Sequence, residues 1–257
     1  MSPERVTVQM PSLHPWQRTI SEHPARFKVL AAGRRWRKTS LGVLKCLETG
    51  LKLGRAWWVG PDYPRATIGW RFLKSLSRQI PGAQIHEADR LILYPGGGEV
   101  QVKSADNPDS LRGPGLDGVA IDEAAYVKQE AWSEALRPAL ADRQGWALFI
   151  STPDGLNWFH DLYQMGQREV PGWVSWQRPT SDNPDVVDAE LVQAREELGE
   201  LVYRQEFLAE FLDFQHLKPF RREWIKYWGG DEVPKPPASE MLIRAGFDPA
   251  ISKRDTA

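Results

Sequence analysis

The stretch Phe27-Lys28-Val29-Leu30-Ala31-Ala32-Gly33-Arg34-Arg35-Trp36-Arg37-Lys38-Thr39-Ser40 decides how this 257-residue chain is read. Phe27 to Ala32 is a short apolar run closed by glycine, which reads as a buried strand. Residues 39–51 read as a helix, because Leu41, Leu44, Leu47 and Leu51 fall on one stripe. Between them lies a basic loop. A loop that leaves a strand and opens a helix directs backbone N–H groups and the helix N-terminus at one point, the arrangement that binds phosphate. Gly33, Arg34, Arg35, Trp36, Arg37 and Ser40 are candidate loop contacts to a nucleotide. Lys38 is placed to reach the β and γ phosphates, and the Thr39 hydroxyl to hold Mg²⁺. The match to G-x-x-x-x-G-K-[ST] is imperfect. Ala32 takes the first glycine position, with Gly33 one step late, and Arg37 takes the second, where a side chain crowds the approach of backbone to phosphate. The competing reading is an exposed basic strand-to-helix loop.

Working outward, short apolar runs alternate with helical patterns. Ala56 to Val59 reads as a strand, and residues 65–80 as a helix with Ile68, Phe72, Leu76 and Ile80 on one face. Leu91 to Tyr94 and Glu99 to Val102 flank Pro95-Gly96-Gly97-Gly98 as a hairpin. Gly118 to Asp122 and Ala147 to Ser151 read as buried strands, separated by a helical stretch bearing Trp132, Leu136 and Leu140. This alternation predicts an α/β protein with a mostly parallel sheet flanked by helices. Residues 188–212 read as all-helical, with Leu191, Leu198, Val202, Phe207 and Phe211 among the apolar positions. Residues 214–240 read as a Pro- and Gly-bearing connector, and residues 241–257 as the start of a new strand.

Three further features carry chemistry. Val119-Ala120-Ile121-Asp122-Glu123 is an apolar strand ending in two carboxylates. In an ATPase with a phosphate loop, Asp122 would sit beside Mg²⁺ and Glu123 would polarise the attacking water. Ser151 and Thr152 end the next strand, where their hydroxyls could sense the γ-phosphate. Gln17, in Leu13-His14-Pro15-Trp16-Gln17, could hydrogen-bond an adenine edge, although a glutamine at a helix start is usually structural. Arg112, in the glycine-flanked Ser110-Leu111-Arg112-Gly113, suits an arginine finger, with Arg137 and Arg143 as rivals.

Composition sets outer limits. One cysteine excludes a disulfide framework, and no run of 18 apolar residues exists to span a membrane. The amino terminus lacks the apolar stretch of a secretory signal. The 12 tryptophans are expected mainly in the core. The net charge of −1 hides a split. Residues 1–80 carry 15 basic against 4 acidic residues, a balance of +11, and the remainder carries 18 against 30, a balance of −12. A basic first third predicts an anionic partner there, either nucleotide phosphate or a nucleic-acid backbone.

Taken in order, the Leu13–Gln17 segment, the Gly33-Arg34-Arg35-Trp36-Arg37-Lys38-Thr39 loop, Val119 to Ala125 and Ser151-Thr152-Pro153 resemble the large terminase subunit of tailed bacteriophages. The stretch from Asn183-Pro184 through Gln205 to Phe211 is similar to the segment that follows the motor core in that family. The resemblance implies a P-loop NTPase of the RecA-like translocase type over residues 1–180, with a small helical lid at 181–213. It implies ATP and Mg²⁺ as cofactors, and hydrolysis that drives double-stranded DNA into a capsid. It also implies a portal protein and a small terminase subunit as partners, and a homo-oligomeric ring that can be monomeric in isolation. The expected place of action is the procapsid in the host cytoplasm. Arg112 matches a finger proposed to act on the neighbouring subunit. Residues 241–257 look like the first strand of a ribonuclease H-type nuclease, with Asp248 as a metal-binding carboxylate and too few further carboxylates to cleave DNA. The alternatives are a helicase-like DNA-remodelling ATPase, or a DNA-binding or assembly module whose pocket Arg37 disables.

Overall fold

The computed structural model describes residues 8–213. Helix α1 (Pro15–Glu22) precedes strand β1 (Phe27–Ala32), whose six residues are all buried. Burial on both faces is the signature of a strand covered by helices on each side. Helix α2 (Lys38–Leu51) follows, then β2 (Arg55–Gly60) and α3 (Tyr63–Ser77). A meander of β3 (Gln84–His86), β4 (Leu91–Leu93) and β5 (Glu99–Ser104) precedes β6 (Gly118–Asp122). A π-helical turn (Ala131–Leu136) runs into the short α4 (Arg137–Ala139). Pro138 lacks the N–H that an α-helical register needs and crowds the preceding turn, which accounts for the widening. Strand β7 (Trp146–Ser151), α5 (Trp158–Gln167), β8 (Trp173–Arg178), α6 (Asp188–Leu198) and α7 (Glu200–Glu206) complete the order.

The strands form one eight-stranded sheet, in the order β3-β4-β5-β2-β6-β7-β1-β8. Only the β3-β4-β5 pairings are antiparallel. The other five contacts are parallel, with Leu30 opposite both Ile150 of β7 and Trp176 of β8. Two apolar layers cover the sheet. One buries Leu41, Leu47, Trp58, Trp70 and Leu73 beneath α2 and α3. The other buries Trp57, Trp132, Leu136, Phe149 and Phe159 beneath the π-helical turn and α5. The chain therefore leaves β1 toward one face and leaves β6 and β7 toward the other. A crevice opens at the carboxyl ends of these strands, the place where open α/β sheets bind ligands.

Several expectations need correction. The inner face of α3 is Ala66, Gly69, Trp70, Leu73 and Leu76, while Ile68 is 59% exposed. The cause is Gly69, where a Cβ would overlap the Trp58 ring, so α3 turns the Ala66-Gly69 side onto β2, and Trp70, Leu73 and Leu76 are buried with it. The helix expected over 188–212 breaks at Gly199, whose φ of +73° suits glycine, and α7 ends at Glu206. Phe211 then turns back onto α5, with its ring centroid 4.9 Å from Tyr163. Strands β3 and β8 and helix α5 were absent from the sequence reading. No helix among the described residues is long and apolar enough to cross a membrane. The connector at 214–240, the nuclease strand at 241–257 and Asp248 lie outside the described residues.

Candidate active site

The crevice is a cleft of about 900 Å³. Its walls are the loop from Arg34 to Thr39, then Asp122, Glu123 and Tyr126 after β6, and Thr152 after β7. The far wall is Arg65 and Ile68 from α3, with Asn183 and Asp185 beyond β8. The strand order brings the candidates together, because β7 lies between β6 and β1 and so all three carboxyl ends meet.

The loop is tight and strained. Arg35 (φ +62°) and Arg37 (φ +72°, ψ +33°) both occupy the left-handed region, which costs about 1–2 kcal/mol for a non-glycine residue. Arg37 thus supplies the backbone conformation that glycine normally provides, and its side chain pairs with Asp185 across the cleft wall. Among the described residues, the Arg35 and Arg37 N–H groups donate to no protein acceptor outside the helix. Alternating right- and left-handed residues with free N–H groups form an anion-binding concavity. The loop is also fixed from behind. The Gln17 amide donates to the Arg37 carbonyl (2.9 Å) and accepts from the His14 N–H (3.0 Å). Gln17 is buried and outside the cleft, so in this structure its amide holds the loop.

Gly33 also differs from its expected part in the phosphate cradle. A Cβ there would come closer than 3.0 Å to Thr180 and to the Phe207 carbonyl. The glycine lets the segment beyond β8 close on the loop. Thr180 Oγ1 donates to the Arg34 carbonyl (2.8 Å), Asn183 Nδ2 to the Arg35 carbonyl (2.6 Å), and the Arg34 N–H to the Glu206 carbonyl (2.7 Å). The Arg34 guanidinium pairs with the Glu206 carboxylate, which raises the arginine's pKa further. Trp36 is fully buried in the layer under α2 and anchors the loop to the core.

Lys38 is buried, and its ammonium donates to the carbonyls of Ala32 (2.7 Å) and Gly33 (3.0 Å) and to Thr152 Oγ1 (3.1 Å). Burial lowers its pKa, while Glu123 and Asp122 oppose that shift. Thr39 opens α2 in the cleft wall, whereas Ser40 lies outside it. Asp122 is buried, and desolvation together with the neighbouring Glu123 charge pushes its pKa up to about 7, against the pull of Lys38. Glu123 has a φ of +47°, a strained geometry for a side chain that must project at the end of a strand. Ser151 Oγ lies 3.2 Å from Glu123 Oε2 and 3.3 Å from the Ala125 N–H. The Ser151-Thr152 pair therefore links the carboxylate to the loop lysine, a contact the sequence placed only loosely.

The remaining candidates lie apart. Arg112 is exposed and bonded to Asp109 (3.0 Å) and Glu134 (3.1 Å), outside the cleft of its own chain. Arg137 stacks on Phe27, and Arg143 pairs with Asp117 (3.1 Å), both at the opposite ends of the strands. Sequence reasoning missed Arg65, which enters the cleft from α3. It is held by Asp62 Oδ2 (2.9 Å) and lies 5.4 Å from the Tyr126 ring. Its only signal was the Asp62-Tyr63-Pro64 helix start, with Asp62 capping the Arg65 N–H.

A buried carboxylate held toward its neutral form fits a cation, whose binding would restore the charge. Among the described residues no cluster of three acidic, His or Cys side chains could hold a metal alone. That suits Mg²⁺, which keeps water and substrate phosphates as ligands beside one or two protein oxygens, here Thr39 and Asp122.

A mostly parallel sheet, a strained strand-to-helix loop with a buried lysine, and an acidic strand end facing it define a P-loop nucleoside triphosphatase fold. A family model described as terminase large subunit, T4likevirus-type, N-terminal, matches residues 59–226, and the chain belongs to that family. It is 32% identical over 235 residues to the large terminase subunit of Thermus phage G20c, covering 77% of this chain and 48% of the relative. It is 34% identical over 199 residues to that of Escherichia phage T5, covering 74% and 45%. The chain thus spans about half the length of the curated relatives it matches. The large terminase ATPase domain of Thermus phage P74-26 superposes with a TM-score of 0.70 at 29% identity, covering 78% of this chain and 94% of that one.

Proposed function

We propose that this chain is the ATP-hydrolysing motor part of a large terminase subunit, which drives double-stranded DNA into a viral capsid. The observation that carries the reading is the convergence of Lys38, Asp122, Glu123 and Thr152 on one cleft from three adjacent strand ends. The free loop N–H groups and Lys38 would hold the β and γ phosphates. Mg²⁺, held by Thr39 and Asp122, would supply charge neutralisation on the phosphates. Glu123 would take a proton from the attacking water as its oxygen bonds to the γ-phosphorus and the bond to the β-phosphate oxygen breaks, leaving ADP and phosphate. Ser151 orients that carboxylate.

The bonds from Thr180, Asn183 and Glu206 to the loop support residues 181–213 as a lid that responds to nucleotide. Arg112, exposed and off its own cleft, suits action on the neighbouring subunit of a ring. The basic first third suits DNA as well as nucleotide, so DNA affinity should fall steeply with salt. A portal protein and a small terminase subunit belong to the same reading, as does action at the procapsid. Steady-state ATP hydrolysis by this chain and by Glu123→Gln tests it. The variant should bind ATP and lose at least a hundredfold in kcat. An unchanged rate would remove Glu123 from the mechanism, and absence of binding at millimolar ATP would leave a nucleotide-impaired DNA-binding module.

A further inference from the structure

A second cavity, of about 430 Å³, opens at the other ends of the strands, between α1, α2 and the starts of β1 and β7. Lys28 lies one strand length, five residues or roughly 16 Å, from Gly33, so the two sites are separate. Leu41, Trp146 and Leu148 give the cavity an apolar floor. Four cations line it: Arg26, Lys28, Lys45 and Arg143. The acid in its wall, Asp117, is already engaged by Arg143 (3.1 Å) and the Arg55 N–H (2.7 Å).

Lys28 is the informative member. It is the second residue of an otherwise apolar, fully buried strand, where Met or Leu would fill the space without desolvating a charge. Its ammonium donates only to neutral groups, the Ile20 and Ser21 carbonyls at the end of α1, each at 2.9 Å. No carboxylate among the described residues bonds it, and burial pushes its pKa down to about 8, with Lys45 acting in the same direction and Glu48 opposing. Arg26 is locked by bonds to the Gly145 (2.8 Å) and Leu140 (2.6 Å) carbonyls. Lys28 caps the last-turn carbonyls of α1, and Lys45 pairs with Glu48 (3.2 Å), yet the cavity wall still sets four cations against one carboxylate beside an apolar floor, a surplus that folding does not require. An anionic ligand does.

We propose that this cavity binds an organic carboxylate, with the carboxylate at Lys28 and Lys45 and an apolar group of aromatic size against Trp146 and Leu148. The volume lies in the range of small-ligand pockets. The carboxylate could be carried by a free acid or by a peptide side chain, and the chemistry recognised is the same.

Calorimetric titration of the full chain tests this. The probes are 4-phenylbutyrate, the neutral 4-phenylbutanol, inorganic phosphate, and the blocked peptide acetyl-Phe-Asp-Phe-amide. Phenylbutyrate should bind at least tenfold more tightly than the alcohol or phosphate. Lys28→Met should weaken it at least tenfold. Lys45→Met, at a partly exposed helix position, should do so severalfold, which guards against a misfolded Lys28 variant. Saturating ATP should not displace it, and Lys38→Ala, in the other site, should leave it unchanged. A tighter peptide assigns the source to a protein chain, and a tighter free acid to a small molecule. Equal binding of the alcohol, displacement by ATP, or no saturation by either carboxylate at millimolar concentration would overturn the proposal.

Discussion

Asp122→Asn should stabilise the nucleotide-free protein and disable it. In the folded chain, burial and Glu123 hold the Asp122 carboxyl at a pKa of about 7, against an ordinary value of 3.8. Between those values the folded state binds a proton that the unfolded state has released. Stability is therefore greatest below the ordinary value and falls as pH rises toward 7. At about 1.4 kcal/mol per pH unit, the penalty above pH 7 has a ceiling of roughly 4 kcal/mol, of which about a third is already present at pH 5. An amide of the same shape carries no such penalty. Urea unfolding in EDTA should show the variant more stable than the parent by a few kcal/mol at pH 8 and by much less at pH 5. Saturating Mg²⁺-ATP, which compensates the charge in the parent alone, should narrow the gap at pH 8. Hydrolysis should fall at least about a hundredfold, the scale of losing a major electrostatic stabiliser. A variant less stable than the parent at pH 8, or a difference that does not change with pH, would refute the account of Asp122 as a strained, cation-seeking carboxylate.

Two other substitutions probe the loop. Gly33→Ala places a methyl against backbone atoms of Thr180 and Phe207 that cannot swing away. Overpacking of this kind costs about 1–3 kcal/mol. The melting temperature should drop by roughly 2–12 °C, and ATP affinity should fall as the residues beyond β8 separate from the loop. Arg37→Gly relieves a left-handed arginine worth about 1–2 kcal/mol and removes an exposed ion pair worth at most about 1 kcal/mol. Thermal stability should change little or rise slightly, and the hydrolysis rate should change less than about threefold, because the backbone already has the conformation that glycine would give.

The chain's own order of residues determined most of the framework. Strands buried on both faces read as near-continuous apolar runs, so Phe27 to Ala32, Gly118 to Asp122 and Ala147 to Ser151 were legible without partners despite Lys28 and Asp122. A helix opening at Lys38 after a glycine loop was equally local. Strand β8 was not legible, because at the sheet edge only Ser175 among its residues is buried and it carries Gln177 and Arg178. The inner face of α3 was misread because the Ile68-Phe72-Ile80 stripe looked apolar by itself, whereas the Trp58 ring admits only Gly69 at closest approach and so rotates the helix to bury Trp70 and Leu73.

Of the site, the sequence determined the chemistry: a lysine and a hydroxyl after one strand, two carboxylates after another. Tertiary structure alone decided what each group faces. β7 had to lie between β1 and β6 before Thr152 could hold Lys38 and Ser151 could hold Glu123. Arg37, read from its type as crowding the phosphate, has the left-handed backbone that glycine would supply, and Gln17 and Gly33 act on the loop itself. The physical reason is that residue type sets which charges and hydrogen bonds are available, while burial and contacts between segments distant in the chain set their protonation and direction. Those contacts exist only once the sheet has closed.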